Sequence, residues 1–230
     1  MEGPRGPGCT DGSYFLGANI RRGTLFLSFT ALLVLMTCGV ASAATCEING
    51  GASYTNNRLV SVHYTNADSY DLYRIANWAP MSSSMEWYAA GSSDYVDWEL
   101  SDLRGERTVY IEFANDPPGY PVTCQDSIIL DTVAPRISTY PVTVKRGRVC
   151  YLSVWMSDTY SPKCRDTVRI TTKSGSVKKK FVDTFKRTSR YWYWRYRCTL
   201  PRGQYRIKIS CVDLAGNVSP ERTGAWLRVR

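Results

Sequence analysis

Beyond residue 43, hydrophobic side chains recur at every second position in short segments, and helical spacing is nearly absent. In Val60–Tyr64 the apolar residues alternate with Ser61 and His63. Similar alternation occurs in residues 109–113, 150–156, 168–170, 192–200 and 205–211. Clusters of Gly, Asn, Asp, Ser and Pro separate these segments, and such alternation is typical of strands with one buried and one solvated face. The sequence therefore predicts an all-β chain of sandwiches, each with two packed antiparallel sheets.

The sign of the charge changes at Pro135. Residues 44–134 contain 13 acidic and 4 basic residues, a net charge of −9, whereas residues 135–230 contain 5 acidic and 22 basic residues, a net charge of +17. The whole-chain value of +9 conceals this contrast. Such asymmetry says little about the fold but indicates what each surface attracts. An acidic and a basic half, each about 90 residues long, indicate two domains.

The first 43 residues have the features of an export signal. An arginine pair at positions 21–22 precedes an apolar run, Leu25–Val40, which is shorter than the roughly 20 residues needed to span a bilayer. Small residues follow, so cleavage is predicted after Ala43. Two alternatives would attach the chain to a membrane: an uncleaved signal, or lipidation at Leu35–Cys38, which matches a lipobox only in part. The chain is therefore predicted to be secreted, and either free or associated with the cell envelope.

Six cysteines follow the signal, two in the acidic half and four in the basic half. They are Cys46, Cys124, Cys150, Cys164, Cys198 and Cys211. An even number in each half of an exported chain predicts disulfides that close within each domain. A zinc site is the competing interpretation, but no C-x-x-C spacing occurs, and the sole histidine, His63, lies in the acidic half. The sequence thus predicts three disulfides, with no metal and no cofactor.

Several segments of the chain share one pattern. Ile48–Asn56, Trp98–Leu100 and Arg107–Ile111 lie in the acidic half, Leu130–Pro135 ends it, and Asp213–Ser219 carries the turn D-x-A-G-N-V in the basic half. Together they resemble the immunoglobulin-like, or fibronectin-III-like, β-sandwich repeats of bacterial exported and cell-surface proteins. The resemblance covers essentially all of residues 45–230. It implies two tandem immunoglobulin-like sandwiches, at 44–134 and 135–230, after a signal peptide at 1–43.

The resemblance also implies how the cysteines pair. In an immunoglobulin-like sandwich, Cys150 and Cys198 lie on strands B and E at one end, and Cys164 and Cys211 lie on strands C and F at the other. Cys46 and Cys124 share one end of the acidic domain. Strand ends are about 20 Å apart, whereas bridged Cα atoms lie about 4.4–6.8 Å apart. The implied bridges are Cys46–Cys124, Cys150–Cys198 and Cys164–Cys211, rather than an antibody-like Cys150–Cys211.

The turn at Asp213 has a local physical basis. Asp213 is suited to accept hydrogen bonds from backbone N–H groups along the turn, and Gly216 and Asn217 tolerate positive φ. Calcium binding is the alternative, but one carboxylate supplies too few ligands for a tight site, so we interpret Asp213 as a turn residue. The acidic half has Ala114–Gly119 where this turn belongs, and that tip is a candidate contact loop.

A basic cluster within twenty residues is the strongest signal for a binding surface. It comprises Lys178, Lys179, Lys180, Lys186, Arg187, Arg190, Arg195 and Arg197. Alternate residues of paired strands project to one side, so several of these should form one face interleaved with Tyr191 and Tyr193. Such faces bind polyanions by charge neutralisation and counterion release, and the alternative is a solubilising surface.

The favoured function is an exported, non-catalytic structural or adhesive protein of the envelope. Its basic domain would bind an anionic cell-wall polymer, an acidic polysaccharide, lipid headgroups or extracellular DNA, since export argues against chromosomal DNA. The acidic domain, folded back or from a neighbouring molecule, is the other partner, and the latter would give head-to-tail association.

Two further hypotheses are open. A glycan-binding module would use Trp78, Trp87 and Tyr88 as sugar platforms, although a packed ring is the alternative for each. A hydrolase would use paired carboxylates for glycoside cleavage, drawn from Asp94, Asp97, Glu99 and Asp102. A solvated strand face is favoured for these carboxylates because acidic residues occur throughout that half. We therefore predict that the chain is not an enzyme.

Overall fold

The structure of the protein is a computed structural model that describes residues 44–65, 67, 69–91, 94–115 and 118–230. The predicted signal peptide at 1–43 lies outside these ranges, as do two residues of the Ala114–Gly119 tip. The described residues form strands and connecting segments without a helix, so the all-β fold class is confirmed. Within these ranges no helix has the length and apolar character to cross a bilayer.

The first sandwich is built from eight strands of the described residues 44–130. They are β1 (Thr45–Ile48), β2 (Tyr54–Thr55), β3 (Leu59–Thr65), β4 (Leu72–Ala76), β5 (Tyr88–Ala89), β6 (Tyr95–Glu99), β7 (Gly105–Ala114) and β8 (Val122–Leu130). The smaller sheet has the order β1-β3-β6, and the larger sheet has the order β2-β8-β7-β4-β5.

The second sandwich follows the same plan with one added strand. Its strands are β9 (Arg136–Thr139), β10 (Val142–Val144), β11 (Val149–Ser157), β12 (Lys163–Thr171), β13 (Val177–Val182), β14 (Lys186–Arg187), β15 (Arg190–Arg197), β16 (Gly203–Asp213) and β17 (Arg222–Val229). The smaller sheet has the order β15-β11-β9, and the larger sheet has the order β10-β17-β16-β12-β13, with β14 paired to β12.

The strand order of both sandwiches is that of the immunoglobulin fold. In each, the first strand lies in the smaller sheet, and a short second strand joins the larger sheet beside the last strand. The pairs β2–β8 and β10–β17 are parallel, so the larger sheets are not purely antiparallel as predicted. The parallel pair arises because the chain changes sheets after its first strand and then runs alongside the last one.

Each sandwich encloses its own hydrophobic core. Ile48, Leu100 and Phe113 are fully buried in the first core, and Leu152 and Ile207 are fully buried in the second. The alternating residues that the sequence assigned to inward faces supply most of both cores, including the half-buried Trp98, Trp192 and Trp194. The chain passes between the two cores through residues 131–135, and the domain boundary at 134/135 stays a prediction.

Candidate functional site

The predicted basic cluster is divided between two sheets. Lys178, Lys179 and Lys180 lie on β13, the edge of the larger sheet, which pairs with β12. Arg195 and Arg197 lie on β15, the edge of the smaller sheet, which pairs with β11. The chain crosses from one sheet to the other between β13 and β15. These residues therefore do not form the single basic face that the sequence led us to expect.

Lys186, between these strands, is engaged in internal contacts. Its ammonium group forms an ion pair with Asp183. The same group lies 4.9 Å from the ring centroid of Trp192 and 5.3 Å from that of Trp194. Lys186 therefore stabilises the packing of β14 against β15 and is not an open contact residue. The neighbouring Arg187 and Arg190 are exposed.

An aromatic surface covers the outward side of the smaller sheet of the second sandwich. This tyrosine face consists of Tyr140, Tyr151, Trp155, Tyr191 and Tyr193. Tyr191 lies opposite Trp155 with the ring centroids 4.8 Å apart, and the hydroxyl groups of Tyr191 and Tyr140 are 3.0 Å apart. The four tyrosines are 43 to 61% exposed. Tyr191 contacts both Tyr140 and Trp155, and the five rings together leave a broad aromatic surface in solvent.

Two exposed arginines extend the tyrosine face at one end. Arg195 lies opposite Tyr151 on the outward side, and Arg197 lies opposite Val149. The Nε group of Arg197 donates a hydrogen bond to the carbonyl oxygen of Gly147 at 2.8 Å. This bond fixes the guanidinium group, whose terminal N–H groups are suited to a carboxylate, sulfate or phosphate. The face thus combines flat rings for stacking with positive charge for an anion.

Sequence reasoning identified Tyr191, Tyr193, Arg195 and Arg197 but missed the rest of this surface. The signal for Tyr151 and Trp155 was present, because both alternate with the buried Cys150, Leu152, Val154 and Met156 on β11. Tyr140 follows the end of β9 and has no comparable pattern. It joins the face only because β9 pairs with β11.

The proposed sugar platforms of the first sandwich have different surroundings. Trp78 is exposed, and Tyr88 is exposed with its ring centroid 5.7 Å from that of Tyr73. Trp87 is half-buried, and the guanidinium group of Arg74 lies 4.5 Å from its ring centroid. One side of Trp87 is therefore covered, whereas Trp78 and Tyr88 remain open surfaces.

The acidic residues considered for hydrolysis lie on an exposed strand face and its neighbourhood. Asp97 and Glu99 alternate with the half-buried Trp98 on β6, and Asp94 and Asp102 flank that strand and are exposed. Glu99 forms an ion pair of 3.2 Å with Arg58. This arrangement matches a solvated face, since it provides none of the burial that prepares a carboxyl group as a general acid.

The six cysteines are free thiols arranged as three neighbouring pairs. A hydrogen bond between Cys46 and Cys124, together with burial, raises the pKa of Cys46, and a hydrogen bond to Cys211 does the same for Cys164. Burial raises the pKa of Cys150 to about 11, and the charge of Cys198 adds to this effect. The pairs are those that the resemblance implied, and no bond joins them here, so the disulfides stay a prediction.

A second site lies where the two sandwiches meet. This carboxylate joint consists of Asp131, after β8, Asp158, after β11, and Asp213, at the end of β16. One oxygen of each side chain accepts a backbone N–H: Asp131 from Val133 at 2.9 Å, Asp158 from Ser161 at 2.8 Å, and Asp213 from Asn217 at 2.8 Å. These bonds fix the orientation of all three carboxylates.

The turn at Asp213 has the predicted hydrogen bond and a φ of 90° at Gly216. Asn217 has a different role from the expected tolerance of positive φ. Its side-chain amide donates to the backbone carbonyl of Asp131 at 2.7 Å and to the second oxygen of Asp213 at 2.9 Å. The turn of the second sandwich is thereby attached to the end of the first.

The remaining carboxylate oxygens of the joint have the geometry of a cation site. Oδ2 of Asp131 and Oδ2 of Asp158 are buried and receive no hydrogen bond from another donor of the described residues, and a hydrogen bond between the two carboxyl groups contributes to the raised pKa of Asp131. Ligand oxygens of all three residues lie within 4.8 Å of one another, which matches Ca–O distances of about 2.3–2.6 Å around one ion. No ion pair that the structure describes engages these carboxylates. The turn motif contains one carboxylate, and the fold brings three together.

The closeness of the three carboxylates affects proton binding by Asp131. Burial raises the pKa of Asp131 to about 6, with smaller contributions from the charges of Asp158 and Asp213. Asp131 is fully buried, and an ionised buried carboxylate needs a proton, a donor or a cation to offset its desolvation. The residues fit a hard divalent cation, because carboxylate and carbonyl oxygens are the ligands that Ca²⁺ prefers.

No protein-family model matches this chain, and no curated protein matches it. Among solved structures, the FN1–FN3 domains of chicken CNTN1 are similar at a TM-score of 0.32 and 13% identity, over 80% of this chain and 64% of that one. The titin domains z1z2 in complex with telethonin are similar at a TM-score of 0.30 and 12% identity, over 77% of this chain and 89% of that one. The chain thus spans less than two thirds of the CNTN1 fragment. The immunoglobulin-like assignment rests on the strand order of the chain itself.

Proposed function

We propose that this chain is an exported, non-catalytic module of the cell envelope that binds an acidic polysaccharide through the tyrosine face and Arg195 and Arg197. Its three thiol pairs become disulfides after export, and its sequence pattern resembles that of the repeats of bacterial surface proteins. The observation that carries the proposal is the meeting of four exposed tyrosines with two arginines on one side of one sheet.

The chemistry of the ligand follows from this combination. Tyrosine rings stack on the apolar faces of sugar rings, and their hydroxyl groups bind sugar hydroxyls. Arginine binds carboxylate or sulfate through two parallel N–H donors. A neutral glycan would leave the arginines without a counter-charge, and a flexible chain without rings would leave the tyrosines without a stacking partner. An acidic polysaccharide satisfies both parts of the surface.

The test measures binding of the mature chain to alginate, with neutral dextran as the negative control. We expect Arg195→Gln with Arg197→Gln to weaken binding at least about tenfold, since charge-assisted hydrogen bonds contribute about 1.5–3 kcal/mol each. Tyr193→Ala should weaken binding even at 0.5 M salt, where exposed charges are screened.

A matched control is Lys178→Gln with Lys179→Gln, which removes the same charge from β13 on the opposite sheet. An equal loss of alginate affinity in this control would mean that net charge alone accounts for binding. That result would refute the proposed face. Binding to duplex DNA but not to alginate would instead assign the face to extracellular nucleic acid.

A second function is favoured by the three carboxylates that meet at the carboxylate joint. We propose that the joint binds Ca²⁺ and so links the two sandwiches, because Asp131 directly follows the last strand of the first and Asp158 and Asp213 come from the second. At a Ca²⁺ concentration of 100 times Kd, the gain in stability is about 2.7 kcal/mol. This corresponds to a rise in Tm of about 5–10 °C for a chain of this size.

The experiment compares the Tm of the mature chain in Ca²⁺ and in EDTA by scanning calorimetry. Asp158→Asn should abolish the difference, whereas Asp97→Asn removes an equal charge from the exposed face of β6 and should preserve it. A Tm that is the same in Ca²⁺ and EDTA would refute cation binding at the joint.

A further inference from the structure

A cavity at one end of the second sandwich is lined by cationic side chains. It has a volume of about 770 Å³, and none of its eight lining residues is acidic. Its positively charged members, which we call the arginine pocket, are Lys145, Arg146, Arg202, Arg228 and Arg230. All five are exposed, and no ion pair that the structure describes engages them.

The fold brings these side chains together from three strand ends. Lys145 and Arg146 follow β10, Arg202 precedes β16, and Arg228 lies on β17. The register places Val144 of β10 and Gly203 of β16 beside Val229 of β17, one on each side. The pairing of β10, β17 and β16 therefore brings the five cationic residues together. The basic cluster around Lys178–Lys180 takes no part in the pocket.

Backbone hydrogen bonds hold the walls of the pocket in place. The N–H of Arg146 donates to the main-chain oxygen of Arg230 at 2.9 Å, and the N–H of Arg230 donates to the carbonyl of Val144 at 2.9 Å. The next turn residue, Gly147, has a φ of 82° and donates to the carbonyl of Cys198 at 2.7 Å. Because the backbone is fixed, only side-chain rotamers need to be ordered when an anion binds.

We infer that the arginine pocket is a binding site for a ligand with several phosphate groups. Guanidinium groups bind phosphate oxygens through paired N–H donors. Five cationic side chains around one pocket attract a multiply charged anion more strongly than a singly charged one. The volume is within the range of about 300–1,000 Å³ typical of small-molecule sites, which is more space than one phosphate group requires. A chain or cluster of phosphates fits both the charge and the size.

The pocket is separate from the tyrosine face in its residues and its chemistry. It has no aromatic lining residue, whereas stacking is central to the face. Arg197 approaches the pocket turn through its hydrogen bond to Gly147 but does not line the pocket. The inference therefore goes beyond the proposed polysaccharide function, and each stands or falls without the other.

The test is calorimetric titration of the mature chain with inorganic tripolyphosphate in low-salt buffer. We expect one site per chain, and Arg202→Gln with Arg228→Gln should weaken it at least about tenfold because charge-assisted hydrogen bonds are lost. The matched control is Lys178→Gln with Lys179→Gln, which removes two charges outside the pocket and should change the affinity less than about threefold, by screening alone. Tyr193→Ala should leave tripolyphosphate binding unchanged while it weakens alginate binding.

Equal losses in the pocket variant and in the β13 control would overturn the inference, as would the absence of tripolyphosphate binding by the unaltered chain. A parallel arm uses phosphatidylglycerol vesicles, which present phosphate at a lipid surface. Binding of tripolyphosphate alone identifies a soluble or polymeric phosphate as the source of the ligand. Binding of vesicles that the pocket variant loses identifies a lipid headgroup and supports the same phosphate chemistry.

Discussion

The buried side chain of Arg74 covers one side of the Trp87 ring. Its guanidinium group is directly opposite Glu112 on β7, and Nε donates to that carboxylate at 2.7 Å. A terminal N–H group donates to the carbonyl of Ser82 at 3.0 Å, and Trp87 lies against the guanidinium plane. Both charged side chains are largely buried. The guanidinium group of Arg74 therefore needs the carboxylate of Glu112 to keep its position. Trp87 is thus part of a packed unit and is a poor platform for sugar.

We therefore expect Glu112→Gln to lower the free energy of unfolding by about 3–5 kcal/mol, because it leaves a buried guanidinium group without its counter-charge. The measurement is urea unfolding followed by tryptophan fluorescence. Glu106→Gln removes an exposed carboxylate from the same strand and should change stability by less than about 0.5 kcal/mol. Similar values for the two variants would mean that the Arg74–Glu112 pair contributes no more than a surface pair.

At the level of strands, each cysteine pair brings together two elements of one sandwich: Cys46 and Cys124 lie on strands of different sheets, and the other two pairs lie on or beside paired strands. Cys164 and Cys211 lie on the paired strands β12 and β16, Cys150 lies on β11, and Cys198 follows β15. Tyr196, opposite Cys150 on β15, has its pKa raised by burial and by the adjacent charges of Cys150 and Cys198. These contacts place each thiol beside the partner that the resemblance implied.

We expect oxidation of the mature chain to give Cys46–Cys124, Cys150–Cys198 and Cys164–Cys211, and peptide mapping by mass spectrometry identifies them. Loss of one bridge, for example in Cys164→Ser with Cys211→Ser, should lower stability by about 2–5 kcal/mol under oxidising conditions. Under reducing conditions the same variant should differ much less from the unaltered chain. Detection of Cys150–Cys211 as the major bridge would contradict this connectivity.

Sequence periodicity identified the strands and their inward residues because burial on one face of a sheet imposes a period of two. It could not assign each strand to a sheet, and for that reason Lys180 and Arg195 were expected on one face. Parity alone indicates that Tyr151 and Tyr193 face outward, since both alternate with core residues, but the pairing of β11 with β15 is what puts them on one face. The carboxylate joint depends on Asp131 and Asp213, 82 positions apart, and no local pattern reveals that they meet.

Residues 44–134 have a net charge of −9 and residues 135–230 a net charge of +17. The junction between the two halves nevertheless brings together side chains of the same sign. At the joint the basic half contributes two of its five acidic residues, Asp158 and Asp213, and the acidic half contributes Asp131. Three carboxylates therefore meet where opposite charges would have been expected. Either protons or a cation must offset their repulsion, and pH decides between the two.

In EDTA, the raised pKa of Asp131 means that the folded chain keeps a proton that the unfolded chain releases between pH 3.8 and about 6. The contribution of Asp131 to stability is thus complete below pH 3.8 and is lost as the pH rises through about 6. Bound Ca²⁺ holds the carboxylate ionised, so protons compete with it below pH 6. We expect the gain in Tm on adding Ca²⁺ to be full at pH 7.5 and small at pH 5. Taking the difference at each pH cancels the titration of groups outside the joint.

Asp131→Asn should remove the loss of stability that occurs in EDTA as the pH rises, because the amide does not titrate. It should also remove the gain in Tm from Ca²⁺, because the amide is not a negatively charged ligand. Asp97→Asn should retain both, since Asp97 is exposed on β6 and lies outside the joint. A Ca²⁺-dependent gain of equal size at pH 5 and pH 7.5 would place the cation elsewhere, and a gain that persists in Asp131→Asn would do the same. If the gain follows the titration of Asp131, proton and cation binding at the joint are coupled, and the link between the two sandwiches strengthens as the pH rises above 6.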